Sequence, residues 1–386
     1  MNILLVEPYY TGSHKSWAQG YESFSNHNVQ IIALPGQFWK RRMNGGAISL
    51  AKQFMHMKFS PDLILATDML DLTTFLSLTK SRTAQVPNAL YFHENQLSYP
   101  WSNSDRDVQE KRDHHYGFIN LSSALTADHV LFNSQYHHDS FHHEGLRLLK
   151  HFPDHNELDV IEKIKEKSRV LYLGMDLSKF DQHKTQTQGN PLVVWNHRWE
   201  YDKNPESFFE CLYQLQKNNI KFDIVVLGES FHTRPNIFDE AKYRLKKHIV
   251  HFGFCENFSE YAKWLWKADI LPITSNQEFF GGSVVEAIYC GVYPILPNRL
   301  TYPELLPKEY YDNHIYNNDG ELYDKVKNCM LNIDKTRGIK IRKSFIQYDW
   351  KTMCPVYDQL FSSLTKKNHY GCLHTHCRPN FIRVVN

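Results

Sequence analysis

Apolar residues along the chain gather in short runs, few of them interrupted. In the first half these are Ile3–Val6, Val29–Ala33, Leu63–Ala66 and Ala89–Phe92; in the second they are Leu192–Trp195, Phe222–Leu227, Ile249–Phe252, Ile270–Thr274 and Tyr293–Leu296. Runs without polar alternation are expected of strands covered on both faces. Between them lie stretches with helical spacing: Lys15–Phe24, Ala47–Lys58, Pro205–Asn218, Asp239–Lys247 and Phe258–Lys267. Strand and helix in alternation predict an α/β protein with parallel, doubly wound sheets, whose ligands collect beyond the carboxyl ends of the strands.

The polar residues that follow those strands are therefore the ones to read for chemistry. After Ile270–Thr274 come Glu278, the pair Gly281–Gly282, a helical run carrying Glu286, then Gly291 as a helix stop before Tyr293 and Pro294. A helix that begins near Gly282 would turn its free N–H groups and positive dipole end toward the loop holding Glu278, where a phosphate is welcome. The bland reading is a βαβ unit with surface glutamates. After Leu192–Trp195 the loop carries Arg198 and Lys203, cations suited to a diphosphate, or else partners for Glu200 and Asp202. After Ala89–Phe92 stands His93-Glu94-Asn95-Gln96-Leu97-Ser98-Tyr99-Pro100, either a cleft wall or a satisfied buried network. Gly12 and Ser13 follow the first strand, and Gly12 lets that loop approach a ligand closely.

Length and charge narrow the picture. A chain of 386 residues is long for one core and suggests two domains. Its net charge of +2 neither requires nor excludes a nucleic-acid partner. No apolar run is long enough to cross a membrane, and Glu7 and Pro8 break the opening apolar stretch, so a buried first strand is expected there in place of a signal peptide. Seven cysteines without paired spacing in the body of the chain read as reduced thiols of a cytoplasmic protein. The tail cluster Cys372, His374, His376 and Cys377 is too tight for separated zinc-ligand pairs. His137, His138, His142 and His143 lie on a stretch expected to form a solvated amphipathic helix face, and no metal site is expected.

The string from Glu278 through Gly281, Gly282 and Glu286 to Gly291 and Pro294 resembles the signature of retaining glycosyltransferases of the two-domain B type, or GT-B. The strand and Asn-Ser turn at Ala124–Ser134 and the Gly-x-Asp turn at Leu173–Phe180 resemble that family's domain edge. The resemblance implies two Rossmann-like domains facing a cleft, here 1–180 on the acceptor side and 191–347 on the nucleotide-sugar side. A linker, 181–190, would join them, a helix, 348–366, would cross back to the first domain, and a tail, 367–386, would follow. It further implies that Glu278 lies at the donor sugar, Glu286 at the ribose, and Arg198 and Lys203 at the pyrophosphate. Phe280, Gly281, Gly282, Ser283, Val284, Gly12 and Ser13 would complete the donor site, with His93 at the sugar hydroxyls and no metal or cofactor required.

A narrower resemblance covers Thr11–Lys15, Phe92–Pro100 and Asn196–Glu206, which are similar to the tRNA-queuosine α-mannosyltransferase family. It implies GDP-mannose as donor and queuosine in the anticodon of aspartate tRNA as acceptor. His14, Lys15, Glu94, Asn95 and Gln96 would then face the acceptor, with Lys40, Arg41 and Arg42 as candidate phosphate contacts, and the run Lys242–Lys247 as another. Two other readings stay open at this stage: the same fold acting on another nucleotide sugar with a glycan, lipid or small-molecule acceptor, and a non-catalytic nucleotide-sugar or RNA-binding module. Oligomeric state has no signature in the sequence.

Overall fold

A computed structural model describes residues 1–101, 105, 107, 115–185, 189–230 and 234–366. The tail cysteines and histidines lie outside the described residues, as does part of the polar run at 181–190. Two six-stranded sheets form. The first contains β1 (Asn2–Tyr10), β2 (Asn28–Pro35), β3 (Leu63–Thr67), β4 (Asn88–Phe92), β5 (His129–Phe132) and β6 (Ser168–Val170), in the order β2-β1-β3-β4-β5-β6. The second contains β7 (Leu192–Trp195), β8 (Asp223–Val226), β9 (Ile249–Phe252), β10 (Ile270–Pro272), β11 (Tyr293–Pro297) and β12 (Ile315–Tyr316), in the order β12-β11-β10-β7-β8-β9. Every pairing is parallel, and β3, β4, β7 and β11 are buried along their whole length, which is why their sequences show no alternation.

Each sheet grows in one direction, then reverses. The reversal falls between β1 and β3 in the first sheet and between β7 and β10 in the second. Helices on either side of such a point diverge and leave a crevice at the strand ends, so the residues just after β1, β3, β7 and β10 are placed to meet a ligand.

The helix Trp350–Lys366 crosses back onto the first sheet's layer. Trp350 is buried against glycines at two distant positions: a Cβ at Gly20 would lie 2.0 Å, and one at Gly174 2.4 Å, from its indole. Trp17 Nε1 donates to Tyr357 Oη at 3.2 Å, and Asp358 accepts from Tyr21 Oη, Ser25 Oγ and the Asn26 amide at 3.0, 2.6 and 2.9 Å. One apolar core runs through these residues from Leu5 to Val284, tying both sheets together.

Two helices start earlier than the spacing suggests. The first spans Gly12–Phe24, so Gly12 is its opening residue, at φ +49°, rather than part of a preceding loop. The second spans Trp39–His56, which places Lys40, Arg41 and Arg42 in its first turn. Gly45 and Gly46 look like loop residues in sequence, but both are buried in this helix, and Gly46 packs so closely that a Cβ would meet Pro8 at 3.3 Å. The helix expected at Asp239–Lys247 is shifted toward the N-terminus, to Ile237–Arg244.

Candidate active site

The floor of the second sheet's crevice is built from the β7 and β10 loops. Gly228, at the end of β8, has φ +107°, and a Cβ there would sit 2.0 Å from the His197 carbonyl oxygen, so only glycine lets the loop after β7 lie this close. That loop is then fastened to the helix Gly282–Tyr289. Asn196 Nδ2 donates to the Ser283 carbonyl at 2.7 Å, and His197 Nδ1 and Ser283 Oγ are 3.1 Å apart. Burial and the nearby Lys203 ammonium push the His197 imidazole down to about 3, so it is neutral.

Gly281 takes the left-handed conformation, φ +90°, that turns the chain into this helix. Gly282 and Ser283 line the cleft, and their amides belong to the unpaired N–H groups of a helix start. Val284 departs from expectation: its N–H donates to the Gly281 carbonyl at 3.0 Å and its side chain is fully buried. Phe280 is likewise turned inward, its ring edge-on to Tyr348 at 5.3 Å.

The basic pair occupies the same floor. Lys203 Nζ lies 2.9 Å from the Gln277 carbonyl, 3.2 Å from Asp202 and 3.4 Å from Glu278, with its side chain 10% exposed. Burial opposes its charge, yet the Glu278 and Asp202 carboxylates outweigh burial and raise its pKa. Arg198 pairs with Glu200 at 3.2 Å while its side chain stays 49% exposed. The partnering with Glu200 and Asp202 that the sequence left open is therefore real, but it leaves the guanidinium open to a ligand. Glu286 lines the cleft and accepts from Tyr261 Oη at 2.7 Å; burial raises its pKa while that bond and the Lys179 charge hold it down.

The first sheet contributes a buried polar knot at its own reversal. Glu7, fully buried within β1, accepts from the Tyr9 amide at 2.8 Å and faces His14 Nδ1 at 3.1 Å. The His14 ring is 4.3 Å from that of His93, whose backbone amide donates to Asp68 Oδ1 at 2.8 Å. Trp17 stands edge-on to His93 at 4.7 Å, and His93 Nε2 is buried with no hydrogen-bond partner. Burial, followed by the charges of His14 and His137, pushes the His93 imidazole well below its usual range, and burial raises the Asp68 carboxyl.

Between the two floors runs a cleft of about 520 Å³, walled by Ser13, Ser16 and Trp17 on one side and by Gly282, Ser283 and Glu286 on the other. Beside it the halves touch. His137 stacks on Phe279 at 4.1 Å, Glu304 accepts from the amides of Gln135 and Tyr136, both at 3.0 Å, and Tyr201 Oη donates to the Pro100 carbonyl at 3.0 Å.

Most of the residues expected on the acceptor side already have partners within the protein. His14 is buried in the knot. Asn95 is spent on a turn, its Oδ1 accepting from the amides of Leu97 and Ser98 at 3.0 and 2.9 Å. Gln96 Nε2 donates to half-buried Glu94 at 3.0 Å. Lys40 Nζ sits 2.6 and 2.5 Å from Asp105 and Asp107, so its charge is already matched, and Arg42 donates to the Pro35 carbonyl at 2.9 Å. Lys15 and Arg41 remain exposed. The histidine-rich helix is not a solvated face throughout: His137 and His142 point inward and His143 outward. Glu7, Asp68 and Tyr261 were not singled out from sequence as site residues. Asp68 does follow the strand-end rule, whereas Glu7 lies within β1 and nothing local marks Tyr261.

Two groups of ligand-type atoms fall within 4.8 Å among the described residues: Glu7, His14 and His93, and His251, Cys255 and Glu260. In the first, the 3.1 Å between Glu7 and His14 is a hydrogen-bond separation, and the group reads as a proton-sharing network. In the second, burial raises the Cys255 thiol to about 11, which disfavours the thiolate a metal needs. The five described cysteines are unpaired, and no described helix is long and apolar enough to cross a membrane.

Comparison with known proteins agrees with this geometry. Residues 2–175 match the family described as tRNA-queuosine alpha-mannosyltransferase N-terminal, and residues 178–348 match glycosyl transferases group 1. The chain is 35% identical over 337 residues to the tRNA-queuosine alpha-mannosyltransferase of Drosophila melanogaster, covering 85% of this chain and 86% of that one. Among solved structures, HepE of Anabaena in complex with UDP superposes with a TM-score of 0.66 at 16% identity, over 94% of this chain and 100% of the other. Sucrose-phosphate synthase of Thermosynechococcus elongatus gives 0.67 at 13%, over 95% and 100%. These structural likenesses establish the GT-B fold.

Proposed function

The chain belongs to the tRNA-queuosine alpha-mannosyltransferase family, and from that premise we propose that it is a cytoplasmic glycosyltransferase that moves mannose from GDP-mannose to queuosine in the anticodon of tRNA-Asp, with retention. The observation that carries this reading is the similarity to the Drosophila enzyme across both halves of the chain, joined to a cleft in which two strand-end crevices meet. The division of labour we propose is an acceptor side in 1–180 and a donor side in 191–347, joined through 181–190, with 348–366 crossing back.

In this reading the base and ribose lie against the second half, with Glu286 at the ribose. The diphosphate rests between Arg198, Lys203 and the amides of Gly282 and Ser283, with Gly12 and Ser13 closing from the first half and Gly281 shaping the turn. Val284 and Phe280 serve only through packing. Glu278 and His93 address the sugar. As the bond from sugar C1 to phosphate oxygen breaks, its electron pair goes to the diphosphate, where the fixed cations and amides stabilise the growing charge more than they stabilise the ground state. The acceptor oxygen bonds to C1 on the face the phosphate leaves, and its proton passes to the departing phosphate. Front-face attack of this kind asks no covalent bond of Glu278, and the neutral His93 would position hydroxyls.

The test is transfer of radiolabel from GDP-mannose to purified tRNA that contains or lacks queuosine. Label on queuosine-containing tRNA alone supports the reading. Equal label on both, or none, refutes the acceptor.

A further inference from the structure

The buried knot at β1 contains more chemistry than donor binding requires. Glu7 has no exposed surface, yet it carries a carboxylate in the middle of the first sheet's crevice. Its two oxygens are both used: Oε1 takes the Tyr9 amide, and Oε2 faces His14 Nδ1 at 3.1 Å. His14 sits in the first turn of the helix Gly12–Phe24, between cleft-lining Ser13 and Ser16. Its ring lies 4.3 Å from that of His93, whose Nε2 is buried without a hydrogen-bond partner. A buried carboxylate bound to one imidazole nitrogen fixes the ring and places the proton on that side, leaving the other nitrogen free to act.

We propose that Glu7 is a positioning residue that holds His14 as a charged donor beside His93, so that the first half of the molecule presents one cationic and one neutral imidazole to the reacting sugar. This rests on the reading of the cleft as the site of glycosyl transfer. The groups facing His14 come from three places: Glu7 and the Tyr9 ring, the latter at 6.0 Å, on β1, Asp68 after β3, and His93 and Glu94 after β4. Acidic neighbours outnumber the single neutral imidazole. Burial lowers the His14 pKa, but the Glu7 charge and hydrogen bond, with Asp68 and Glu94, more than reverse this and carry it to about 9. The arrangement gives the donor-cleavage step a charge on the side opposite Arg198 and Lys203. It also explains why a glutamate interrupts an otherwise apolar first strand.

The experiment compares wild type with Glu7→Gln, which keeps an acceptor oxygen but removes the charge, and with Glu7→Asp as the conservative variant. The His14 ring is titrated by nitrogen-resolved NMR, and the pH profile of kcat/KM is recorded both for transfer to tRNA and for hydrolysis of GDP-mannose by water. The hydrolysis arm keeps the result independent of the tRNA acceptor. Expected are a wild-type His14 titration and a basic limb of the profile that coincide near pH 9. Both should fall together by about one pH unit or more in Glu7→Gln, since one unit measures the lost charge interaction. Glu7→Asp should restore part of the shift, and GDP affinity should stay constant. Where Glu7→Gln does not fold, His14→Gln serves, and the basic limb should disappear. A basic limb that stays in place while the ring titration moves, or a ring titration that Glu7→Gln leaves unchanged, overturns the proposal, as does an unaltered limb in His14→Gln.

Discussion

Arg198 offers the sharpest separation of catalysis from stability. Its guanidinium is 3.2 Å from Glu200 and its side chain is half exposed, so replacing it with alanine removes a screened ion pair worth at most about 1 kcal/mol to the fold. The protein should keep its thermal midpoint within a few degrees. In the transition state proposed above the same group would face a diphosphate whose charge is growing. Loss of one preorganised donor of that kind costs roughly 3 to 4 kcal/mol, or about 10²- to 10³-fold in kcat. Single-turnover transfer from GDP-mannose gives the chemical step, calorimetry with GDP gives ground-state affinity, and a melting curve controls for folding. Arg198→Ala should lose the rate, with a smaller loss of GDP affinity. Arg198→Lys should recover part of it, since an ammonium supplies charge without the two-pronged geometry. A variant with kcat within about threefold of wild type would remove Arg198 from the diphosphate and, with it, the donor placement proposed above.

Other outcomes follow from the same geometry. Glu286→Ala should weaken donor binding by about 10- to 100-fold, as expected for a hydrogen bond to a charged group, and Tyr261→Phe by a smaller factor of about five, both read by calorimetry. Trp350→Ala should destabilise the protein by roughly 3 to 5 kcal/mol in chemical denaturation, because the facing glycines Gly20 and Gly174 cannot fill the void. Acid should unfold the protein early. Burial holds His142 and His314 near pKa 4 and His197 near 3, below the unfolded value, so stability present above pH 6.5 is lost as pH falls from there toward 4. Each such histidine contributes a slope of up to about 1.4 kcal/mol per pH unit, measurable as a falling midpoint between pH 7 and 5.

The strand-end logic made the crevice of the second sheet readable in advance. Gly281, Gly282 and Glu286 sit within one strand-loop-helix unit, so local spacing alone placed the helix start at Gly282 and the stop at Gly291. Arg198 and Lys203 were legible for the same reason. The first half was harder because its polar cluster is assembled by sheet order. Glu7, Asp68 and His93 come from β1 and the ends of β3 and β4, which are neighbours in space and far apart in sequence. Nothing along the chain says that His14 turns inward to Glu7 while Lys15 turns out. Gly45 and Gly46 misled in the opposite direction, since glycine marks a loop by conformational freedom and a tight helix contact by small size. Tyr261 reaches Glu286 from a different helix, a pairing visible only in three dimensions.

The central claim is retaining mannosyl transfer to queuosine, and the product tests it most directly. Queuosine-containing tRNA treated with the enzyme and GDP-mannose is digested to nucleosides, and the modified nucleoside is examined by mass spectrometry and proton NMR. Expected is queuosine carrying one hexose, released as mannose and joined through an α-linkage that preserves the donor's anomeric configuration. A β-linked sugar would contradict the mechanism, and queuosine recovered without a hexose would contradict the function.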